Sequence, residues 1–250
     1  MRIALRPCVL GLLIALCSTP PPLFAQKEAL YESIARRDDA TWETAAKIWE
    51  WAEPGYQEVQ SSPLLAAMLE EAGFQVERGI ADIPTAFSAT YGTGGPVIGI
   101  LGEFDALPGL SQEAVPYRQP RDGGTYGHGC GHHLFGVASA SAAVALAEQI
   151  QVGNLQGTIR YYGCPAEAGG PAKVFMVEAG LFDDCGGVLH WHPSSKNGAW
   201  SGSSKAVVSA KFTFSGTATH ASVSPENGRS ALDAVELMNI GANFMREHIK

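Results

Sequence analysis

The sequence predicts an α/β protein: a mostly parallel sheet flanked by helices, followed by the start of a smaller α+β unit. Three observations predict it. Apolar segments of strand length alternate with segments of helical period between residues 27 and 192. The run Pro96-Val97-Ile98-Gly99-Ile100-Leu101 is apolar without alternation, as in a strand covered on both faces. After Trp200, the segment Ser201-Gly202-Ser203-Ser204 reads as a linker, so residues 26–202 form a first unit and 203–250 begin another.

The first 25 residues are of a different kind. Arg2 and Arg6 precede the apolar run Val9-Leu10-Gly11-Leu12-Leu13-Ile14-Ala15-Leu16, and a Pro-rich stretch leads to Phe24-Ala25-Gln26. A positive start, a short apolar core and a small residue before the cut predict a signal peptide over 1–25, hence an exported (periplasmic or secreted) protein. The run is too short to span a bilayer. A lipid anchor on Cys17 fits less well, because Leu16 is bulky where a small residue belongs. A buried N-terminal helix is the remaining alternative.

From Lys27 to Trp51, the spacing of Leu30, Ile34, Trp42, Ala46, Trp49 and Trp51 predicts an amphipathic helix. A second helix is expected from Ser62 to Glu71, with Gly73 closing it. Strands are expected over 74–76, 86–91 and 97–101. A Gly-, Pro- and Asp-rich loop then runs from Gly102 to Gly131 and enters a helix dense in Ala and Ser, Leu134 to Gln149. A strand (158–163), a helix (173–179) stopped by Gly180 and a strand (187–192) complete the first unit. In the second, Ala206–Ser215 alternates as a strand, and a helix follows over Gly228–His248.

Of 250 residues, 46% are hydrophobic and 17% charged, and the formal net charge is −8. This balance offers no basic surface for nucleic acid or anionic lipid. Cys8 and Cys17 fall in the signal segment, leaving Cys130, Cys164 and Cys185, an odd number that does not make a disulfide framework.

The chemistry concentrates in Gly127-His128-Gly129-Cys130-Gly131-His132-His133, where three of the seven histidines fall within six residues. Thiolate and imidazole are the usual ligands of zinc-like cations. Alternation in an extended turn would put His128, Cys130 and His132 on one side; the bland alternative is a polar turn. Tyr162-Gly163-Cys164-Pro165-Ala166-Glu167 places a carboxylate just past a strand, where a general base would sit. Val188-Leu189-His190-Trp191-His192-Pro193 places two histidines at another strand end. In a parallel sheet such ends share one edge.

Together with Gly102-Glu103-Phe104-Asp105-Ala106-Leu107-Pro108, these motifs occur in an order that resembles the aminoacylase and carboxypeptidase G type of metallopeptidases. Within that family the chain is most similar to the branch of the p-aminobenzoyl-glutamate hydrolases and indole-acetyl-amino-acid hydrolases. The resemblance runs from Glu28 to the end. It implies metal-activated hydrolysis of an amide bond between an acyl or aminobenzoyl group and an amino acid such as glutamate, with two divalent cations, manganese or zinc. It also implies an acyl-amino acid or dipeptide-like substrate. By resemblance, Cys130, His132 and His192 or His190 are metal ligands and Glu167 is the general base. Asp105 then orients the site. Gly216-Thr217-Ala218-Thr219-His220-Ala221-Ser222 resembles the start of a lid and dimerisation domain, in which His220 would polarise the scissile carbonyl in a homodimer or heterodimer.

Two departures stand out. The family's Glu-Glu pair is here Glu167-Ala168, and a methyl group cannot coordinate. The family's last histidine ligand follows the lid and has no counterpart in these 250 residues. Two rivals to the hydrolase follow: a truncated or degenerate member that binds ligand or partner without turnover, and an amidase with Cys130 as nucleophile and His132 as base.

Overall fold

A computed structural model describes residues 23–199, 202–203 and 208–248, with side chains from Lys27 onward. Nearly all of the expected signal segment, with Cys8 and Cys17, lies outside the described residues. The chain divides into two units, 1–196 and 197–250.

The helix expected over 27–51 is two: α1 (Leu23–Ala35) and α2 (Asp38–Trp51). Asp38 and Asp39 occupy the first turn of α2, where carboxylates suit the positive end of a helix dipole. Arg36 and Arg37, at the break, both reach Glu148, at 2.9 and 2.7 Å. Helix α3 (Ser61–Glu71) follows. Its cap comes from outside: the buried Glu53 accepts from the backbone N–H and hydroxyl of Ser61, at 2.8 and 2.7 Å. Strands β1 (Gln75–Arg78), β2 (Phe87–Thr93) and β3 (Val97–Glu103) come next, and the pair β4 (Leu107–Pro108) and β5 (Tyr126–Gly127) closes the long loop. Helix α4 (His132–Gln151), β6 (Gly157–Cys164), α5 (Ala172–Glu178) and β7 (Gly187–Leu189) complete the unit.

The sheet order is β1-β2-β6-β3-β7. β3 pairs in parallel with both β6 and β7, while β2 is antiparallel to its neighbours β1 and β6. The sheet is therefore mixed, with β2 alone running against the other four. The expected strand 187–192 ends at Leu189, so His190 and His192 stand beyond the sheet edge.

Both faces of the central strands are covered, which explains their unbroken apolar sequence. Ile100 and Tyr161 pack on one face with Ile48, Leu65, Leu69 and Val137; Leu101 and Tyr162 pack on the other with Ile83, Ala172 and Met176. The small residues of α4 permit close approach to β3. A Cβ at Gly136 would stand 2.5 Å from the carbonyl oxygen of Glu103. Among the described residues, α4 is the one helix long and apolar enough to cross a membrane, and most of its apolar window is buried in this core.

In the second unit, Thr217 and Arg229 exchange backbone hydrogen bonds and α6 (Ala231–Met245) follows, capped by Ser230, whose hydroxyl accepts from the Asp233 N–H at 3.1 Å. No strand forms over 208–215, and residues 204–207 lie outside the described set. A strand needs a hydrogen-bonding partner, and the described residues of this unit supply none.

Candidate metal centre

Three strand ends and one helix start build the site. β3, β6 and β7 run in parallel, so the residues after each emerge at one edge. β3 delivers Glu103 and Asp105, β6 delivers Glu167, and the chain beyond β7 delivers His190 and His192. The turn into α4 delivers Cys130 and His132. Gly131, at the start of α4, has φ +75°, and Pro193 lies about where its side chain would be: a Cβ there would sit 3.0 Å from the proline ring. This contact brings His192 against the turn.

His132 is fully buried at the centre. Its Nδ1 lies 2.9 Å from Asp105 Oδ1. That partner assigns the proton to Nδ1 and leaves Nε2 with an open lone pair. Nε2 has no hydrogen-bond partner; it faces Glu103 Oε2 at 3.1 Å and Glu167 Oε2 at 3.6 Å. Two donor sets converge here, Cys130–His132–His192 and Glu103–His132–Glu167, the ligand atoms of each lying within 4.8 Å of one another. A buried imidazole lone pair aimed at sulfur and carboxylate oxygen fits a divalent cation.

The loop carrying Glu167 is held from three sides. Ala166 has a positive φ of 52°, and its N–H donates to the buried Glu58 Oε1 at 2.8 Å. The Ala168 N–H donates to Asp105 Oδ2 at 2.8 Å. Gly55 closes the third side, since a Cβ there would meet Ala166 at 2.8 Å. Asp105 thus orients His132 with one oxygen and the loop that bears Glu167 with the other.

The electrostatics follow from this crowding. Burial lowers the His132 pKa, but the hydrogen bond to Asp105 and the charges of Asp105, Glu103 and Glu167 outweigh it and raise the value. For Asp105, burial raises the pKa, and its bonds to His132 and to the Ala168 N–H prevail and lower it. Burial, followed by the charges of Glu167, Asp105 and Glu103, raises the Cys130 thiol.

The other expected residues are placed as follows. His190 points Nε2 at Glu103 Oε1 (3.4 Å) and stacks edge-on against Phe135, and it belongs to neither donor set. His192 is exposed and meets His132 with ring centroids 5.4 Å apart. His220 lies in the second unit. His128 is not on the Cys130 side: its Nε2 meets the Ile48 carbonyl at 3.0 Å and its ring packs on His133. Extended alternation fails there because the turn is folded, with Gly129 and Gly131 donating to the carbonyls of Gly127 and His128. Glu103 and Glu58 escaped the sequence reading. Glu103 stood inside a quoted motif as an acidic residue ending an apolar strand, a signal for a buried and partnered carboxylate; Glu58 carried no such signal. An open groove of about 690 Å³, lined by Trp42, Trp49, Arg121 and His133, lies beside α2 and contains none of the donors.

No family model matches the chain. It is 48% identical over 207 residues to one of the p-aminobenzoyl-glutamate hydrolase subunits of Escherichia coli, covering 82% of this chain and 43% of the relative. It is 30% identical over 225 residues to the Xaa-Arg dipeptidase of Homo sapiens, covering 81% and 46%. Among solved structures, the Bacillus subtilis YXEP protein, described as a dinuclear metal-binding peptidase from the M20 family, aligns with a TM-score of 0.51 and 25% identity, over 63% of this chain and 42% of that one. Over the matched region, the chain belongs to the M20 peptidase family. It spans about half the length of the curated relatives it matches. A proposed aminohydrolase from methicillin-resistant Staphylococcus aureus shares the fold, with a TM-score of 0.55 at 22% identity over 64% of this chain and 41% of that one. These relatives are by name a hydrolase, a dipeptidase and a metal-binding peptidase.

Proposed function

We propose that this protein is an exported, metal-dependent amidohydrolase that cleaves the bond between an acyl or aminobenzoyl group and an amino acid such as glutamate. One observation carries the assignment. The buried His132 is pinned by Asp105 through Nδ1, and its unpartnered Nε2 faces the Cys130, His192 and Glu167 donors. The 48% identity to a hydrolase of aminobenzoyl-glutamate supports the substrate class. The charged, short-cored N-terminus supports export.

In this proposal Cys130, His132 and His192 would hold a divalent cation, manganese or zinc, one of the two that the family resemblance implies. The chemistry such a cation would supply there is a lowered pKa for a bound water and polarisation of the scissile carbonyl. Glu167, partly exposed at the mouth of the site, takes the proton of the attacking water on a carboxylate oxygen and returns it to the leaving amine nitrogen. Asp105 keeps His132 in the tautomer that presents Nε2. His220 polarises the carbonyl from the lid, in a homodimer or heterodimer formed through that domain.

Two rivals are weighed by single residues. Ala168, in place of a ligand carboxylate, favours a member that binds without turnover. A Cys130 nucleophile is disfavoured, because burial and three nearby carboxylates raise the thiol pKa when a nucleophile needs it lowered. The test is glutamate release from p-aminobenzoyl-glutamate by Mn²⁺- or Zn²⁺-loaded protein, with and without chelator. Chelator-sensitive release is expected. Release that survives chelation but not thiol alkylation would establish the Cys130 amidase, and metal binding without release would establish the degenerate member. N-terminal sequencing of the exported protein is expected to begin at Gln26.

A further inference from the structure

Glu103 is almost fully buried, at 1% exposure, and its two oxygens have different surroundings. Oε1 receives Lys173 Nζ at 2.5 Å and faces His190 Nε2 at 3.4 Å. Oε2 makes no hydrogen bond, although His132 Nε2 stands 3.1 Å away and is itself unpartnered. With Asp105 holding the proton on Nδ1, the 3.1 Å contact between His132 Nε2 and Glu103 Oε2 sets one lone pair against another, and Glu167 Oε2 adds a third from 3.6 Å. Such a convergence is repulsive unless positive charge lies between the atoms, either a second proton on His132, which these carboxylates favour, or a cation that displaces it.

The separations fit a cation. Ligand atoms at about 2.0–2.2 Å from a tetrahedral ion stand roughly 3.3–3.6 Å from one another; one pair here lies at 3.6 Å and the other, at 3.1 Å, is slightly closer than that range. We infer that Glu103 is itself a metal ligand, its Oε2 sharing one cation with His132 Nε2 beside the base Glu167 and so supplying the carboxylate oxygen that Ala168 cannot. This rests on the proposed metal centre and adds to it a ligand from the end of β3. Because His132 offers one free nitrogen, the two donor sets that share it meet at one ion, with Cys130, His132, His192 and Glu103 as its four protein donors and Glu167 beside it as the base. Lys173 then balances the negative charge from behind Glu103 without reaching the cation.

The test is titration of the full chain with Co²⁺. Affinity is read by calorimetry, and the sulfur-to-cobalt charge-transfer band reports Cys130 separately. Wild type is expected to bind Co²⁺ with that band. Glu103→Gln is expected to bind at least 100-fold more weakly, more than the 10- to 100-fold typical of residues that only orient a ligand. Lys173→Met removes the ion pair and leaves the ligand, so its affinity should stay within a few-fold of wild type. If Glu103 serves only as the partner of Lys173, the two variants weaken binding alike, and the inference falls. If Glu103→Gln binds as tightly as wild type with its band intact, the inference also falls while the metal centre stands. If wild type binds no Co²⁺, both fall. Circular dichroism of each metal-free variant checks folding. Should Glu103→Gln unfold, Glu103→Asp retains the charge and withdraws the oxygen; a loss of tenfold or more supports ligation, and unchanged affinity overturns it.

Discussion

Each histidine of the Gly127–His133 turn has a different environment, and the environment decides its chemistry. His132 is ringed by carboxylates, whereas His128 and His133 are half-buried and pack on each other, with His128 bonded to the Ile48 carbonyl of α2. Burial foremost, helped against His128 by the nearby His132 and opposed by its bond to Ile48, pushes the His128 pKa down to about 4. Burial and the two neighbouring histidines push His133 down to about 3. A cation at His132 therefore depends on one orienting bond. Asp105→Asn is expected to weaken divalent-metal affinity about 10- to 100-fold, because an amide can present its N–H to Nδ1 and turn the imidazole to the wrong tautomer. Calorimetric titration with Zn²⁺ or Co²⁺ measures it. Affinity unchanged in Asp105→Asn would mean that His132 is held by packing alone.

At the scale of the element, α4 carries both the site and the core. Its first turn presents His132, and its small residues let β3 approach so closely that Gly136 has no room for a methyl group. Tyr161, from β6, also donates its hydroxyl to the Gly136 carbonyl at 3.0 Å. Gly136→Ala must push the helix from the strand that bears Glu103 and Asp105. The expected cost is about 1–3 kcal/mol, as for other overpacked cores, despite the helix propensity that alanine adds. Urea denaturation followed by circular dichroism measures it. A variant as stable as wild type would show that α4 can shift freely, and its metal affinity would then reveal whether the site moves with it.

For the whole molecule, these half-buried histidines contribute to acid sensitivity. His128 and His133 stay neutral in the folded state down to about pH 4 and about pH 3, whereas in the unfolded chain they protonate near 6.5. The unfolded state therefore binds more protons between these values, and stability falls as pH drops from about 6.5 toward 4. Glu58 contributes in the opposite sense. Burial raises its pKa, so protonation on acidification relieves a cost carried at neutral pH. The double variant His128→Gln/His133→Gln should be less stable than wild type at pH 7 and should lose less between pH 6.5 and 4. Urea midpoints across that range test it, and parallel curves for the two proteins would exclude these histidines as the source.

The sequence by itself determined the fold class, the order of strands and helices in the first unit, and the motifs that meet at its edge. It could do so because a doubly covered strand must be apolar throughout, and because cysteine, histidine and glutamate at strand ends have few roles outside chemistry. Local pattern did not settle the break between α1 and α2, the reversal of β2 in the sheet, or the early end of β7, all of which depend on what each segment packs against. It also left open which histidine of the turn faces the donors. That choice was made by the folded turn at Gly131, the Asp105 bond to Nδ1 and the Ile48 carbonyl that draws His128 away. Glu103 became visible as part of the centre only when β3, α4 and α5 placed His132 and Lys173 on either side of it. A carboxylate's role depends on which charges lie within a few ångströms, and those distances exist only in the tertiary structure.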